Sequence, residues 1–149
     1  MSTMRFFACN ATAITALMTS VSAMAACPLP AFIDGSGKPA PTLSSARYLL
    51  VYRTQPALIP VGQHFTMEVA ICTKPDAPAP EAFRVDARMP EHRHGMNYRP
   101  TVRNRAPASD AGDYTAEGLM FHMNGRWEFI FEIGAAGQTD RVTHRVEPQ

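Results

Sequence analysis

No stretch of this 149-residue chain is apolar for long enough to cross a membrane as a helix, which takes about 20 mainly apolar residues. No segment repeats apolar residues at the helical spacing, so no helices are expected. Neither sign of charge is in excess: 14 basic side chains face 13 acidic ones, which gives no reason to expect nucleic acid as a partner. Internal repeats are missing. So are a Gly-x-Ser-x-Gly elbow, a phosphate loop and a His-Glu-x-x-His helix. Glu91 beside His92 has the chemistry of a base, but no nucleophile is positioned near it by anything visible in the sequence. The chain is therefore read as a non-enzyme.

Cysteine is scarce, and its use agrees with export. Residues 1–25 read as a secretory signal: Arg5 supplies the positive region, Phe6 to Met18 an apolar stretch broken by Asn10 and Thr12, and Ala23-Met24-Ala25 a small-x-small cleavage site. The expected location is periplasmic or secreted. Cys9 would leave with the signal. Cys27 and Cys72 remain, and in an oxidising compartment a disulfide is the default for such a pair. Two alternatives stay open. Met24-Ala25-Ala26-Cys27 is a poor version of a lipoprotein box, in which Cys27 would carry a lipid anchor. Both thiols would otherwise stay reduced as metal ligands.

Thirteen prolines and nine glycines punctuate the chain. Residues 26–45 look like an irregular N-terminal arm, and 46–149 like one domain. Residues 47–53 are rich in β-formers. Residues 65–72 and 83–89 alternate apolar with polar, which means a sheet with one buried face. A short edge strand is expected near Thr101-Val102-Arg103 and a last strand over about 140–146. Between the runs 114–123 and 126–133 lies Asn124-Gly125, the strongest short hairpin signal because a type I′ turn needs positive φ twice. That hairpin would set Trp127 opposite His122 and Phe129 opposite Met120. Trp127, Phe129, Phe131 and Ile133 would form its apolar face and Arg126, Glu128 and Glu132 its wet one. The expected fold is all-β, an immunoglobulin-like antiparallel β-sandwich of about seven strands. Several strands are short, which keeps a small barrel as the alternative.

The chemistry concentrates in Met89-Pro90-Glu91-His92-Arg93-His94-Gly95-Met96-Asn97-Tyr98. Imidazole and thioether together are the ligand set that softer metals prefer, copper above all. In an extended segment His92, His94 and Met96 point the same way. Met89 and His122 are further candidate ligands, although packing alone accounts for Met89 and a hydrogen-bonded core position would account for His122. Met120 and Met123 are weaker candidates; His64 and His144 look ordinary. Zinc suits the set less well, since thioether is a poor zinc ligand. The segment from Arg84 to Arg105 also holds six arginines against Asp86 and Glu91. That excess opposes cation binding at long range and suits docking of an acidic partner, with Arg93 and Arg99 as its contacts. A solvated, salt-bridged sheet face would explain the same arginines.

Three features occur in order: Pro60-Val61-Gly62 entering the strand at Phe65; Met89-Pro90 opening the His/Met-rich turn; and Gly112-Asp113-Tyr114 running through Phe121-His122-Met123 to Gly125-Arg126-Trp127. Over roughly residues 47–134 this order resembles the YtkA-like family of exported β-sandwich domains, which is similar to the periplasmic part of FixH proteins. The resemblance implies an immunoglobulin-type sandwich and an association with membrane or periplasmic metal handling, often of copper, without an agreed enzymatic activity. The chain departs from FixH in lacking a transmembrane anchor, so a role in building a membrane oxidase does not carry over. The resulting expectation is a periplasmic copper-binding protein that carries or delivers copper through its His/Met loop to a periplasmic or membrane-bound protein. The competing expectation is a metal-free module that docks another exported protein, such as a redox enzyme, through its Arg-rich turn.

Overall fold

The structure is a computed structural model that describes residues 27–106 and 111–149. The expected secretory signal lies outside the described residues. Among the described residues there are nine strands: β1 (Leu43–Ser44), β2 (Tyr48–Gln55), β3 (His64–Thr73), β4 (Ala82–Met89), β5 (His94–Gly95), β6 (Thr101–Asn104), β7 (Gly112–Met120), β8 (Trp127–Ala135) and β9 (Gln138–Val146). They form two antiparallel sheets, β1-β2-β3-β7-β6 and β5-β4-β8-β9. Without the two-residue edge strands β1 and β5, the order β2-β3-β7-β6 facing β4-β8-β9 is the seven-strand arrangement of an immunoglobulin constant-type sandwich.

Alternation drives this assembly. In β4 every second residue is buried, from Phe83 through Val85 and Ala87 to Met89, while Arg84, Asp86 and Arg88 face out. β3 does the same with Phe65, Met67, Val69 and Ile71. A strand with one apolar face has to bury it against another sheet, and here the two inner faces meet in one aromatic core. Phe65, Phe121, Phe129 and Trp127 lie at its centre, each 0–2% exposed.

The N-terminal arm is tied to the five-stranded sheet. Cys27 and Cys72 form the disulfide, which fastens the N-terminal arm to the end of β3. The arm has some order of its own: Ile33 bridges to Pro39, Phe32 lies under the Arg53 guanidinium at 4.9 Å, and β1 pairs with β2.

The hairpin expected at Asn124-Gly125 does not form. β7 pairs with β3 and β6, whereas β8 pairs with β4 and β9, so the segment between them crosses from one sheet to the other. Trp127 lies opposite Val146 rather than His122, and Phe129 lies opposite Ala87 and His144 rather than Met120. Two causes are visible. First, the β3–β7 register shifts between Phe65 and Met67, a bulge that adds one residue to β7 near Gly118. Tyr114 and Ala116 face inward before it, and Leu119 and Phe121 after it, so Met120 loses the core position expected for it. Second, the chain wraps around Trp127. The Phe121 and Trp127 rings stack 4.5 Å apart, and the indole Nε1 donates to the Met123 carbonyl at 3.1 Å.

The one tight hairpin of the second sheet is β8–β9. Its two-residue turn, Ala136-Gly137, has φ of 51° and 72°, positive at both positions as a type I′ turn needs. Glu128, expected on the wet face, is 8% exposed; its carboxylate accepts hydrogen bonds from the Arg88 guanidinium across the sheet, the nearer at 2.6 Å.

Candidate functional site

The His/Met segment and the β7–β8 crossover meet at one end of the sandwich. Met89 ends β4 and pairs with His94, the first residue of β5. The residues between them, Pro90 to Arg93, form a turn closed by a hydrogen bond from the His92 amide to the Met89 carbonyl at 3.2 Å, with Arg93 at φ 55°. His92 therefore sits on a turn, not in the extended segment that the His-x-His spacing suggested. The turn nevertheless leaves its ring 5.9 Å from that of His94.

From the other sheet comes His122, the second residue after β7. Its ring centre lies 5.0 Å from that of His94. Both rings stand edge-to-face to Trp127, His122 at 5.3 Å and His94 at 6.1 Å. The three imidazoles thus form a row in the order His92, His94, His122. Exposure falls along it: His92 is exposed, while His94 and His122 are half-buried.

Two atoms of this row stand out. His94 Nε2 and His122 Nδ1 are buried and have no hydrogen-bond partner. A buried polar atom left without a partner costs about 1–3 kcal/mol. The only other buried side-chain nitrogen in this condition among the described residues belongs to Arg47, at a distance in the fold. The two atoms belong to neighbouring rings, His94 in β5 and His122 just after β7.

Ring spacing limits which imidazoles can share one ligand. With a metal–nitrogen bond of about 2 Å and about 1 Å from nitrogen to ring centre, two ligating rings stand no more than about 6 Å apart. The His94–His122 separation fits within that limit and the His92–His94 separation just reaches it. No group of three or more His, Cys, Asp or Glu side chains among the described residues is placed to hold one ion.

The methionines contribute differently from one another. Met89 is 1% exposed and part of the core; its Cε fills the space beside Gly125 in the crossover. Met96 packs half-buried on the core rim, and its amide donates to the Ala87 carbonyl at 3.1 Å. Met123 is exposed on the crossover. His64, which looked ordinary in sequence, starts β3 beside Met120 and meets the Tyr98 ring at 5.4 Å, at this same end of the sandwich. Only the register of β3 against β7 brings it there. His144 sits elsewhere, its Nδ1 2.7 Å from the Tyr52 hydroxyl between β2 and β9. Burial holds the imidazole below its ordinary pKa and pushes the Tyr52 phenol up.

The six arginines of the 84–105 segment divide evenly. Arg88 pairs with Glu128, Arg103 with Glu117, and Arg105 with Asp113 and Glu68. Arg84, Arg93 and Arg99 make no ion pair among the described residues. Arg126 of the crossover holds Glu91 of the turn, which removes one of the segment's two acids from play. Comparison with protein-family models, with curated proteins and with solved structures finds no match to this chain.

Proposed function

We propose that this chain is an exported copper-binding protein that carries or delivers Cu(I) in the periplasm. The observation that supports the reading best is the pair of buried, unpartnered nitrogens His94 Nε2 and His122 Nδ1 on rings 5.0 Å apart. His94 and His122 are the resident ligands, and Met89 and Met96 supply the soft surroundings. Copper is the cargo, and the chain's part is to hold and orient the two imidazoles. The Trp127 stack and its hydrogen bond to Met123 fix the crossover that carries His122. The Met89–His94 pairing fixes His94. The site lies at one end of a rigid sandwich, where a partner can approach it.

A competition titration with Cu(I) tests this. The protein binds one equivalent, and the H94A/H122A double variant loses that binding while keeping its circular dichroism spectrum. Absence of binding above the double variant's ends the copper reading.

A second reading rests on Arg93 and Arg99, exposed cations without ion pairs among the described residues, Arg99 being next in sequence to the exposed Tyr98. There the turn docks an acidic exported protein and no metal is involved. It predicts Cu(I) titrations in which wild type and H94A/H122A are indistinguishable.

A further inference from the structure

His92 differs from the other two imidazoles in a way that the resident site does not use. It is exposed, it sits at the tip of a turn, and its ring is within reach of His94 but next to no other imidazole. The three rings do not form one cage. They form two overlapping pairs, His92/His94 at 5.9 Å and His94/His122 at 5.0 Å, with His94 shared. The outer pair reaches solvent and the inner pair has its free nitrogens buried. Resting on the copper reading above, we propose that His92 is the receiving ligand: Cu(I) is captured by His92 and His94, then moves to His94 and His122, and leaves by the reverse route.

The exchange is balanced. His94 keeps its bond to the ion throughout. One copper–nitrogen bond forms to His122 as the bond to His92 breaks, and no change of oxidation state is involved. A bare ion would otherwise have to shed its solvent or donor ligands before reaching two half-buried nitrogens. An exposed ligand that replaces them one at a time lowers that barrier in both directions. Such a residue sets rates. It contributes little to the final affinity, because it is not bound in the final state.

Trp127 supplies the readout. It is the only tryptophan of the chain, fully buried, and in ring contact with both His94 and His122. Copper reaching the inner pair quenches it. The experiment is stopped-flow fluorescence of the full mature protein: loading with acetonitrile-stabilised Cu(I), then removal by excess bicinchoninate. H92A is expected to show the wild-type quench amplitude, with loading and removal both slowed about tenfold, a barrier increase of about 1.4 kcal/mol. The affinity, their ratio, moves less than about threefold. H92M, which keeps a soft ligand on the turn, restores the rates.

Wild-type rates in H92A overturn the proposal. So does a loss of quench amplitude or affinity in H92A comparable to that of H122A, which would make His92 a resident ligand. If wild-type protein itself shows no quench and no Cu(I) binding, the copper reading fails first and the route with it.

Discussion

The Met89 side chain fills the space that a side chain at Gly125 would need: a β-carbon there would lie 2.6 Å from the Met89 Cε. Gly125 also has φ of 127°, a backbone conformation that L-residues rarely adopt. Both effects oppose substitution, so G125A is expected to destabilise the protein by about 2–3 kcal/mol. M89A alone removes a buried side chain and costs about 2–5 kcal/mol. Urea denaturation of the two single variants and the double variant separates the causes. The double variant is expected to cost less than the sum of the singles, because the clash is gone. A strictly additive cycle would assign the whole cost of G125A to its backbone.

The disulfide joins residues 45 apart and is the covalent anchor of the arm. Cross-linking a loop of that length removes chain entropy from the unfolded state worth about 4 kcal/mol, and measured values centre on about 2–4 kcal/mol. The C27S/C72S variant is expected to lose stability in that range with the two sheets intact. Limited proteolysis should then cut first between residues 28 and 42. A variant as stable as wild type would show that the cross-link adds nothing to the sandwich.

Ala136 occupies the first of two positive-φ positions in the β8–β9 turn and is exposed. A left-handed conformation costs an alanine about 1 kcal/mol, whereas asparagine tolerates it. A136N is therefore expected to stabilise the protein by about 0.5–1 kcal/mol, read as an upward shift of the urea midpoint at unchanged slope.

His144 is held below its ordinary pKa by burial against the Tyr52 hydroxyl. The unfolded chain, with a histidine pKa of about 6.5, takes up that proton first. Acid therefore favours unfolding: the contribution is present above about pH 6.5 and is lost as pH falls through the folded value. The urea midpoint is expected to fall between pH 7.5 and 5.5 in the wild type and to fall less in H144Q. Equal slopes in the two proteins would remove His144 as the cause.

Strand content was legible because alternation is a property of each segment alone. Phe83 to Met89 and Phe65 to Ile71 announce their buried faces without reference to a partner. Pairing was less legible, because it depends on distant segments. Asn124-Gly125 has the composition of a hairpin, yet the bulge near Gly118 and the Phe121–Trp127 stack turn the chain toward the other sheet. The true hairpin carries alanine where turn chemistry favours asparagine, and so gave no signal. For the site, residue types pointed to His92, His94 and His122. Their order in space, the exclusion of Met120 from the core and the arrival of His64 beside it all follow from register. Glu128 shows the same limit: an outward-facing carboxylate becomes buried once Arg88 is laid across it.

His94 belongs to the four-stranded sheet, and His122 leaves the last residues of β7 in the five-stranded one. At this end the two leaves are also joined by core packing, by the β5–β6 and β7–β8 crossover segments and by the hydrogen bond from the Gln149 amide to the Ile59 carbonyl. Any guest gripped by both rings is consequently a clasp across the spine of the fold. Breathing of the leaves becomes the motion that lets it go, and its presence makes the leaves harder to part, in proportion to the logarithm of its concentration over its dissociation constant. Melting temperature then serves as a gauge of occupancy, and unfolding as a route of release.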